Sequence, residues 1–249
     1  MKKNNPIWLG GILALFSAGC QFPADTENGV DENDWAARSV PFPSYLVGDY
    51  PFSGNAQDQS GSGNHGSVLG AVPAPDRHGH PNRAYAFDGS TDAIAIPHSP
   101  SLNITGPLTL AAWVRLDPAD SNGVILSKYA PGRIASQQGG YSLGIFRHRI
   151  SLALAAHDYF AEIRGESRLA RCRFHHLAGV YDCSASRIYL YVDGVLDASF
   201  SLSPGRIALG PNTLPVLIGN KHASSLSQDG RKPFRGDIDD VQIFNRALS

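Results

Sequence analysis

Apolar and polar residues alternate with a period of two along most of the chain beyond residue 45. In 108–116, Leu108, Leu110, Ala112, Val114 and Leu116 share one parity, while Thr109, Ala111, Trp113 and Arg115 share the other. Successive side chains of a strand point to opposite faces, so the first set predicts a buried face and the second a face turned away from it. Ile188, Leu190 and Val192 alternate likewise with Tyr189 and Tyr191. Asp193-Gly194 then supplies a two-residue turn of the primed type that returns the chain into 195–202. No helical period longer than a turn or two stands out, and no repeat has solenoid length. The pattern predicts an all-β fold, a two-sheet antiparallel sandwich with inner faces packed on each other.

Composition fits one such domain. A chain of 249 residues, 42% hydrophobic and 17% charged, can bury a sizeable core, and its 26 Gly and 17 Pro serve the turns that many short strands require. The formal net charge of −1 predicts no basic groove and no electrostatic grip on nucleic acid.

The N-terminus reads as a targeting segment. Lys2 and Lys3 precede an apolar stretch from Ile7 to Phe16 that is too short to span a bilayer comfortably. Ser17-Ala18-Gly19-Cys20 resembles a bacterial lipobox, departing from it at Ser17, where Leu is usual. The resemblance implies a lipoprotein signal peptide over 1–19 and acylation of Cys20, the lipid anchor to the membrane. Gln21 follows rather than Asp, which implies the outer membrane of a bacterial cell envelope. Residues 20–44 carry Asp25, Glu27, Asp31, Glu32 and Asp34 without a sustained apolar period and predict a flexible acidic tether. The folded domain is expected over 45–249.

Within that domain, AYAFDGSTDAIAIP (84–97), LTLAAWVRL (108–116), FHHLAGVYD with RIYLYVDG (174–194) and PFRGDIDDVQIFNRALS (233–249) follow one another in a set order. The loop GNAQDQSGSGNHG (54–66), with Asp58, Ser60, Gly61 and Gly66, precedes them. The set resembles the laminin G-like jelly rolls of the concanavalin A-like lectin and glucanase superfamily. That resemblance implies either a sugar-binding module or a glycan hydrolase.

Laminarinase-type relatives carry two Glu at alternating positions of one strand with an Asp between them, a spacing that sets the carboxylates about 5 Å apart for retaining hydrolysis. The nearest match is Glu162-Ile163-Arg164-Gly165-Glu166, where Arg164 replaces the Asp and Gly165 weakens the strand. A guanidinium there favours the ionised form of both carboxyls, the opposite of what an acid catalyst requires. The segment is therefore expected to be a solvated strand edge or turn, and the protein not to be an enzyme. Adjacent His175 and His176 point to opposite faces and cannot chelate one metal as a pair. His78 and His80 share a parity and, with Asp76, make at most a sparse metal site; a surface loop is the plainer reading. No nucleophile elbow, phosphate-cradling loop or zinc-type Cys spacing is present.

The C-terminal Gly236-Asp237-Ile238-Asp239-Asp240-Val241 sets three carboxylates at a strand entry, a costly arrangement unless solvated, hydrogen-bonded or bound to a cation. The resemblance implies a structural calcium ion held by Asp239 with main-chain carbonyls near Ser53 and Gly89; a metal-free acidic turn is the other reading. For ligand binding, Trp113 with Arg115 and Tyr189 with Tyr191 are the candidates, since aromatic faces stack on sugar rings, although each also fits simple packing. The polar loops 129–140 and 220–233 can shape specificity. Cys172 and Cys183 flank a continuous strand and stand too far apart to pair, so both thiols are expected free. The function expected is a non-catalytic, surface-anchored recognition module for carbohydrate or an envelope protein partner. The alternatives are a divergent glycoside hydrolase or lyase, or a structural envelope lipoprotein.

Overall fold

The computed structural model describes residues 44–130, 139–156, 159–202, 208–222 and 232–248. The expected signal peptide, Cys20 and the tether up to residue 43 lie outside the described residues, as does much of the loops 129–140 and 220–233. Fifteen strands are described: β1 (Leu46–Tyr50), β2 (Ser67–Leu69), β3 (Val72–Ala74), β4 (Ala84–Asp88), β5 (Ala93–Ile96), β6 (Leu108–Leu116), β7 (Gly123–Ala130), β8 (Gly139–Phe146), β9 (Arg149–Ala156), β10 (Tyr159–Arg164), β11 (His175–Asp182), β12 (Arg187–Val192), β13 (Val195–Ser201), β14 (Val216–Ile218) and β15 (Arg235–Phe244).

They form two antiparallel sheets. One is eight-stranded and runs β13-β12-β11-β6-β15-β4-β3, with β1 also pairing β15; the other is seven-stranded and runs β10-β9-β8-β7-β14-β5-β2. Their inner faces supply a single core, in which Leu110, Leu177, Leu190 and Ile238 from the first sheet and Ile94, Leu126, Leu152 and Ile218 from the second are fully buried. The all-β jelly-roll expectation holds.

The alternation in β6 is as read from sequence: Leu108, Leu110, Ala112, Val114 and Leu116 all belong to the core. Thr109 and Ala111, on the opposite face, are buried too. The C-terminal segment covers that end: Thr109 Oγ1 donates to the Arg246 carbonyl (2.8 Å) and accepts from the Leu248 N–H (3.0 Å). Asp193 and Gly194 both take positive φ (50° and 79°), the primed turn their sequence demands between β12 and β13.

The loop after β1 is organised by Asp58. Its carboxylate accepts from the N–H groups of Asp49, Ser60 and Asn64 and from the Ser60 hydroxyl, all at 2.9–3.0 Å. Asn64 extends the network, donating to the Val47 carbonyl at 2.6 Å and to Ser101 Oγ at 2.9 Å. A buried carboxylate saturated by donors fixes a loop that gives the core only Ala56.

Strand β15 changes partners along its length. Its first half pairs β4, with Ile238 opposite Tyr85, and its second half pairs β1, with Val241 opposite Tyr50. The register against β6 slips between Asp239 and Gln242, and Asp240 takes a positive φ of 46° there. The bulge turns the Asp239-Asp240 pair toward the loop that carries Arg77. Cys172 and Cys183 sit just outside the two ends of β11, exposed and unbridged.

Candidate functional site

The outer face of the seven-stranded sheet carries a regular relief. Cross-strand register aligns Tyr129, Gly140, Ala155 and Phe160 in one row, and Ser127, Ser142, Ala153 and Glu162 in the next. Gly144, Ser151 and Arg164 make a third row, and Phe146 with Arg149 a fourth. The middle strands β8 and β9 therefore present a buried floor of Gly, Ser and Ala, flanked by Tyr129 of β7 and by Phe160, Glu162 and Arg164 of β10. From Gly140 to Phe146 this trough is about 20 Å long at the usual rise of a strand.

Both ends of the trough are aromatic. The Tyr129 and Phe160 rings approach to 5.8 Å between centroids, tilted by 51°, over Gly140 and Ala155. At the other end the Arg164 guanidinium lies 3.8 Å from the centre of the Phe146 ring. Phe160 is 40% exposed. Gly140 has φ +106°, and a Cβ there would run into the Lys128 carbonyl, so only glycine fits under the aromatic pair. Glu162 and Arg164 are bonded to each other at 3.1 Å on the β10 wall.

Sequence reasoning missed this face. The readable signal lay in 139–156, where Gly140, Ser142 and Gly144, and then Ser151, Ala153 and Ala155, alternate with large core residues. Small residues on one parity of two successive strands mark a sheet face over which larger side chains close, and here Ser142, Ala153 and Ala155 lie buried beneath them.

The expectation of a solvated edge at 162–166 needs correction. The Glu162 side chain is only 10% exposed, held by Arg164 against the sheet. Glu166 lies beyond the end of β10 and its N–H donates to Asp197 Oδ2 (2.9 Å). The two carboxylates therefore do not share a strand face as the laminarinase-type arrangement requires.

The aromatic candidates read from sequence sit on the outer face of the other sheet, and two are already engaged. Trp113 is flanked by the Arg77 guanidinium (4.8 Å to the ring centre) and the His176 ring (5.3 Å). Arg115 donates through Nε to Asp237 Oδ2 (2.7 Å) and lies over Phe174 at 5.0 Å. Tyr189 and Tyr191 are half-buried on β12. Burial, with Tyr189 beside it, pushes the Tyr191 hydroxyl above its ordinary range. His175 is buried between Asp193 Oδ2 (2.9 Å) and the Ala170 carbonyl (3.2 Å). Burial, only partly offset by Asp193, holds the His176 imidazole below its usual range.

The residues expected to hold calcium do not fit a bound ion. Asp239 is 1% exposed, and Arg77 Nη1 donates to its Oδ2 at 2.7 Å while pairing Asp240 Oδ2 at 2.5 Å. The cation at this acidic turn is a guanidinium. Gly89 follows Asp88, the partner of Arg235, whereas Asp239 lies four residues further along β15. The Ser53 hydroxyl instead faces Arg83 Nη1 at 3.5 Å. Burial, and then the neighbouring Asp240, push the Asp239 carboxyl up to about 6 against the pull of Arg77. The Asp76 carboxylate is likewise taken, accepting from the N–H groups of His78 and His80 (2.8 Å each) and contacting His80 Nδ1 at 3.0 Å. Among the described residues no group of three His, Cys, Asp or Glu is arranged to hold a metal ion.

Lys128, also missed, lies under the trough with its side chain on the core side of β7, 1% exposed. Its ammonium donates to the carbonyls of Leu214 (2.5 Å) and Asn212 (3.2 Å) and to Asn212 Oδ1 (3.3 Å), and contacts His98 Nδ1 at 3.1 Å. Burial pulls this amine down to about 8. The three contacts to Asn212 and Leu214 tie the 212–214 segment to the sheet.

Over residues 88–249 the chain matches the laminin G-like family model of the Concanavalin A-like lectin/glucanases superfamily, and it belongs to that family. No curated protein matches it in sequence. Domain 4 of AbnA, a GH43 extracellular arabinanase from Geobacillus stearothermophilus in complex with arabinotriose, superposes with TM-score 0.59 at 16% identity, covering 82% of this chain and 94% of that one. The CBM40 of the Ruminococcus gnavus IT-sialidase, bound to alpha2,3 sialyllactose, gives TM-score 0.54 at 15% identity, over 67% of this chain and 91% of that one. The binding domain of Paraclostridial Mosquitocidal Protein 1 gives TM-score 0.63 at 15% identity over 82% of this chain, which spans 50% of that chain's length. At these identities the likeness is one of fold.

Proposed function

We propose that this domain is a non-catalytic carbohydrate-recognition module that takes a short oligosaccharide on the outer face of β7–β10, against the side chains of Phe160 and Arg164 that reach solvent above the buried floor. One observation carries the reading: Tyr129 and Phe160 meet over Gly140 and Ala155 at the end of a floor of small residues. Sugar rings combine apolar C–H faces with hydroxyls. The exposed Phe160 ring and the Glu162–Arg164 pair match both parts. Solved domains of the same fold in complex with arabinotriose and with alpha2,3 sialyllactose support the class of ligand. The Glu162–Arg164 pair supports a holding role rather than catalysis, because the Glu162 carboxylate is already engaged by the guanidinium at 3.1 Å and Glu166 does not share its strand face.

Acylation of Cys20 would display this module at the cell envelope. Cys20→Ser is then expected to release the protein from the membrane fraction or to block its processing. The outer face of the other sheet is the second candidate surface, because Tyr189 and Tyr191 stand partly exposed there.

The test is a glycan array probed with the full chain and with Phe160→Ala, alongside a reducing-end assay on laminarin and mixed-linkage glucans. Binding to a defined set of oligosaccharides, weakened in Phe160→Ala and without reducing ends released, supports the proposal. Turnover lost in Glu162→Gln contradicts the non-catalytic role. Binding to no glycan contradicts the proposal as a whole.

A further inference from the structure

The net charge of −1 conceals a local imbalance. Between residues 147 and 173 the sequence holds six arginines and no lysine, against three acidic residues. The fold gathers most of these arginines at the Phe146 end of the trough. Arg164 stacks on the Phe146 ring at 3.8 Å, and Arg147 lies 5.3 Å from the same ring. Arg149 stands opposite Phe146 in register and reaches the Gly165 carbonyl with Nη1 at 3.3 Å. The following loop is tied to this hairpin by the Leu169 N–H, which donates to the His148 carbonyl at 2.8 Å. That loop brings Arg168 and Arg171 close enough that, after burial, their charges hold the His148 imidazole below its ordinary range, with Asp120 pulling the other way.

The turn itself is a second, independent observation. Arg147 and His148 have φ of 52° and 62°, the two left-handed positions of a primed hairpin turn. Asn-Gly and Asp-Gly are the residues that suit such a turn, and Asp193-Gly194 occupies the equivalent place between β12 and β13. Here the chain spends conformational strain to place an arginine and a histidine at the mouth of the trough. Asn122 Oδ1 accepts from the Arg147 N–H (2.7 Å) and the Ser121 carbonyl from the His148 N–H (2.8 Å), holding that strained turn. Residues kept in sparsely populated backbone regions cluster where a ligand is handled.

Opposing carboxylates do not cancel the cluster. Glu162 is committed to Arg164, and Asp197 accepts the N–H groups of Glu166 and Ser167. Asp120 acts on His148 from the other side, against burial and the arginines. Arg164, Arg168 and Arg147 are exposed.

Resting on the glycan-binding reading of the trough, we infer that its Phe146 end is an anion subsite and that the ligand is an acidic glycan, one bearing carboxylate or sulfate groups. Guanidinium forks bind both groups through paired hydrogen bonds. A nucleic acid or an anionic membrane calls for a broad basic face or stripe. These arginines instead gather around the single Phe146 ring at one end of the β7–β10 face.

The experiment prints sialylated, uronate-rich and sulfated oligosaccharides beside their neutral parent chains and measures binding of the full chain at low and high salt. The wild type is expected to favour the acidic member of a pair by about tenfold or more, with the preference shrinking as salt rises. Arg147→Gln with Arg168→Gln is expected to abolish the preference while leaving neutral chains bound as before. Arg147→Asn with His148→Gly, which restores the sequence the turn favours, is expected to raise the melting temperature while lowering affinity for acidic chains. A gain in both stability and acidic-chain affinity in that variant overturns the inference. So does equal binding of acidic and neutral members, and so does stronger binding to single-stranded DNA or to phosphatidylglycerol vesicles than to any glycan. Binding of neutral chains that the arginine variants leave unchanged, with no acidic preference, overturns this inference alone. Failure to bind any glycan removes the trough reading and this inference together.

Discussion

Tyr129 on β7 and Phe160 on β10 are separated by two whole strands, yet their rings lie 5.8 Å apart because Gly140 and Ala155 between them raise nothing to keep them apart. An aromatic pair of this kind adds about 0.5–1.5 kcal/mol beyond its buried area, and stacking on a sugar draws on the same surface. Phe160→Ala is therefore expected to weaken oligosaccharide binding by roughly three- to tenfold. Because Phe160 is already 40% exposed, its loss should shift the melting temperature only slightly. Isothermal titration and thermal melts on the same preparations check both halves; a large loss of stability with unchanged affinity would make the pair a packing element only.

The Arg77–Asp239 contact yields a prediction about pH and calcium. Arg77→Gln strands a buried carboxylate and is expected to cost about 2–4 kcal/mol near pH 7. The Asp239 carboxyl titrates at about 6 in the folded state, above its ordinary 3.8. Between those two values the folded protein holds a proton that the unfolded chain has released, so this group's contribution to stability falls as pH rises through that window. In Arg77→Gln the folded value rises further, and the penalty should shrink markedly when urea unfolding is repeated at pH 4.5. With a guanidinium already at the acidic turn, calcium and chelator should give the wild type one and the same melting curve; a calcium-dependent rise abolished by Asp239→Ala would restore the metal reading.

Lys128 is expected to show the opposite sign on the alkaline side. Its folded value of about 8 lies below the ordinary 10.5, so between them the unfolded chain binds the extra proton and the group's contribution rises with pH. Lys128→Met leaves the Leu214 and Asn212 carbonyls without this donor and is expected to cost about 1–3 kcal/mol at pH 7. The gap between wild type and variant should widen from pH 8 toward pH 10, read by chemical denaturation. A constant gap would mean that the amine is charged throughout.

Both described thiols are exposed and unbridged, at opposite ends of β11. Alkylation without reductant should label Cys172 and Cys183 together in intact-mass spectra. An intact 172–183 bridge would break the pairing of His175–Asp182 with Arg187–Val192.

The sandwich was legible because its signals are local. The parity of Leu108 to Leu116 and the Asp193-Gly194 turn each lie within a few residues, and each fixes which face is core. The trough was not, because Tyr129 and Phe160 are 31 positions apart and meet only through the register of four strands. The Arg77 pairing was hidden for the same reason, spanning 162 positions of sequence between Arg77 and Asp239. The acidic turn was correctly read as needing a cation, but sequence spacing does not say whether an ion or a distant side chain supplies it. Trp113 and Arg115 were rightly placed on the non-core parity of β6; that Arg77, His176 and Asp237 engage them depends on three other segments.

The central claim is that sugar lies on the outer face of β7–β10. Its most direct test is the map of backbone amide shifts as a bound oligosaccharide is titrated into the isotopically labelled full chain. The account predicts that the largest changes fall at Ser142, Gly144, Ser151, Ala153 and Glu162, with Tyr129 and Phe160 alongside. Changes centred instead on Trp113, His176 and Tyr191 would move the site to the opposite sheet and contradict the account.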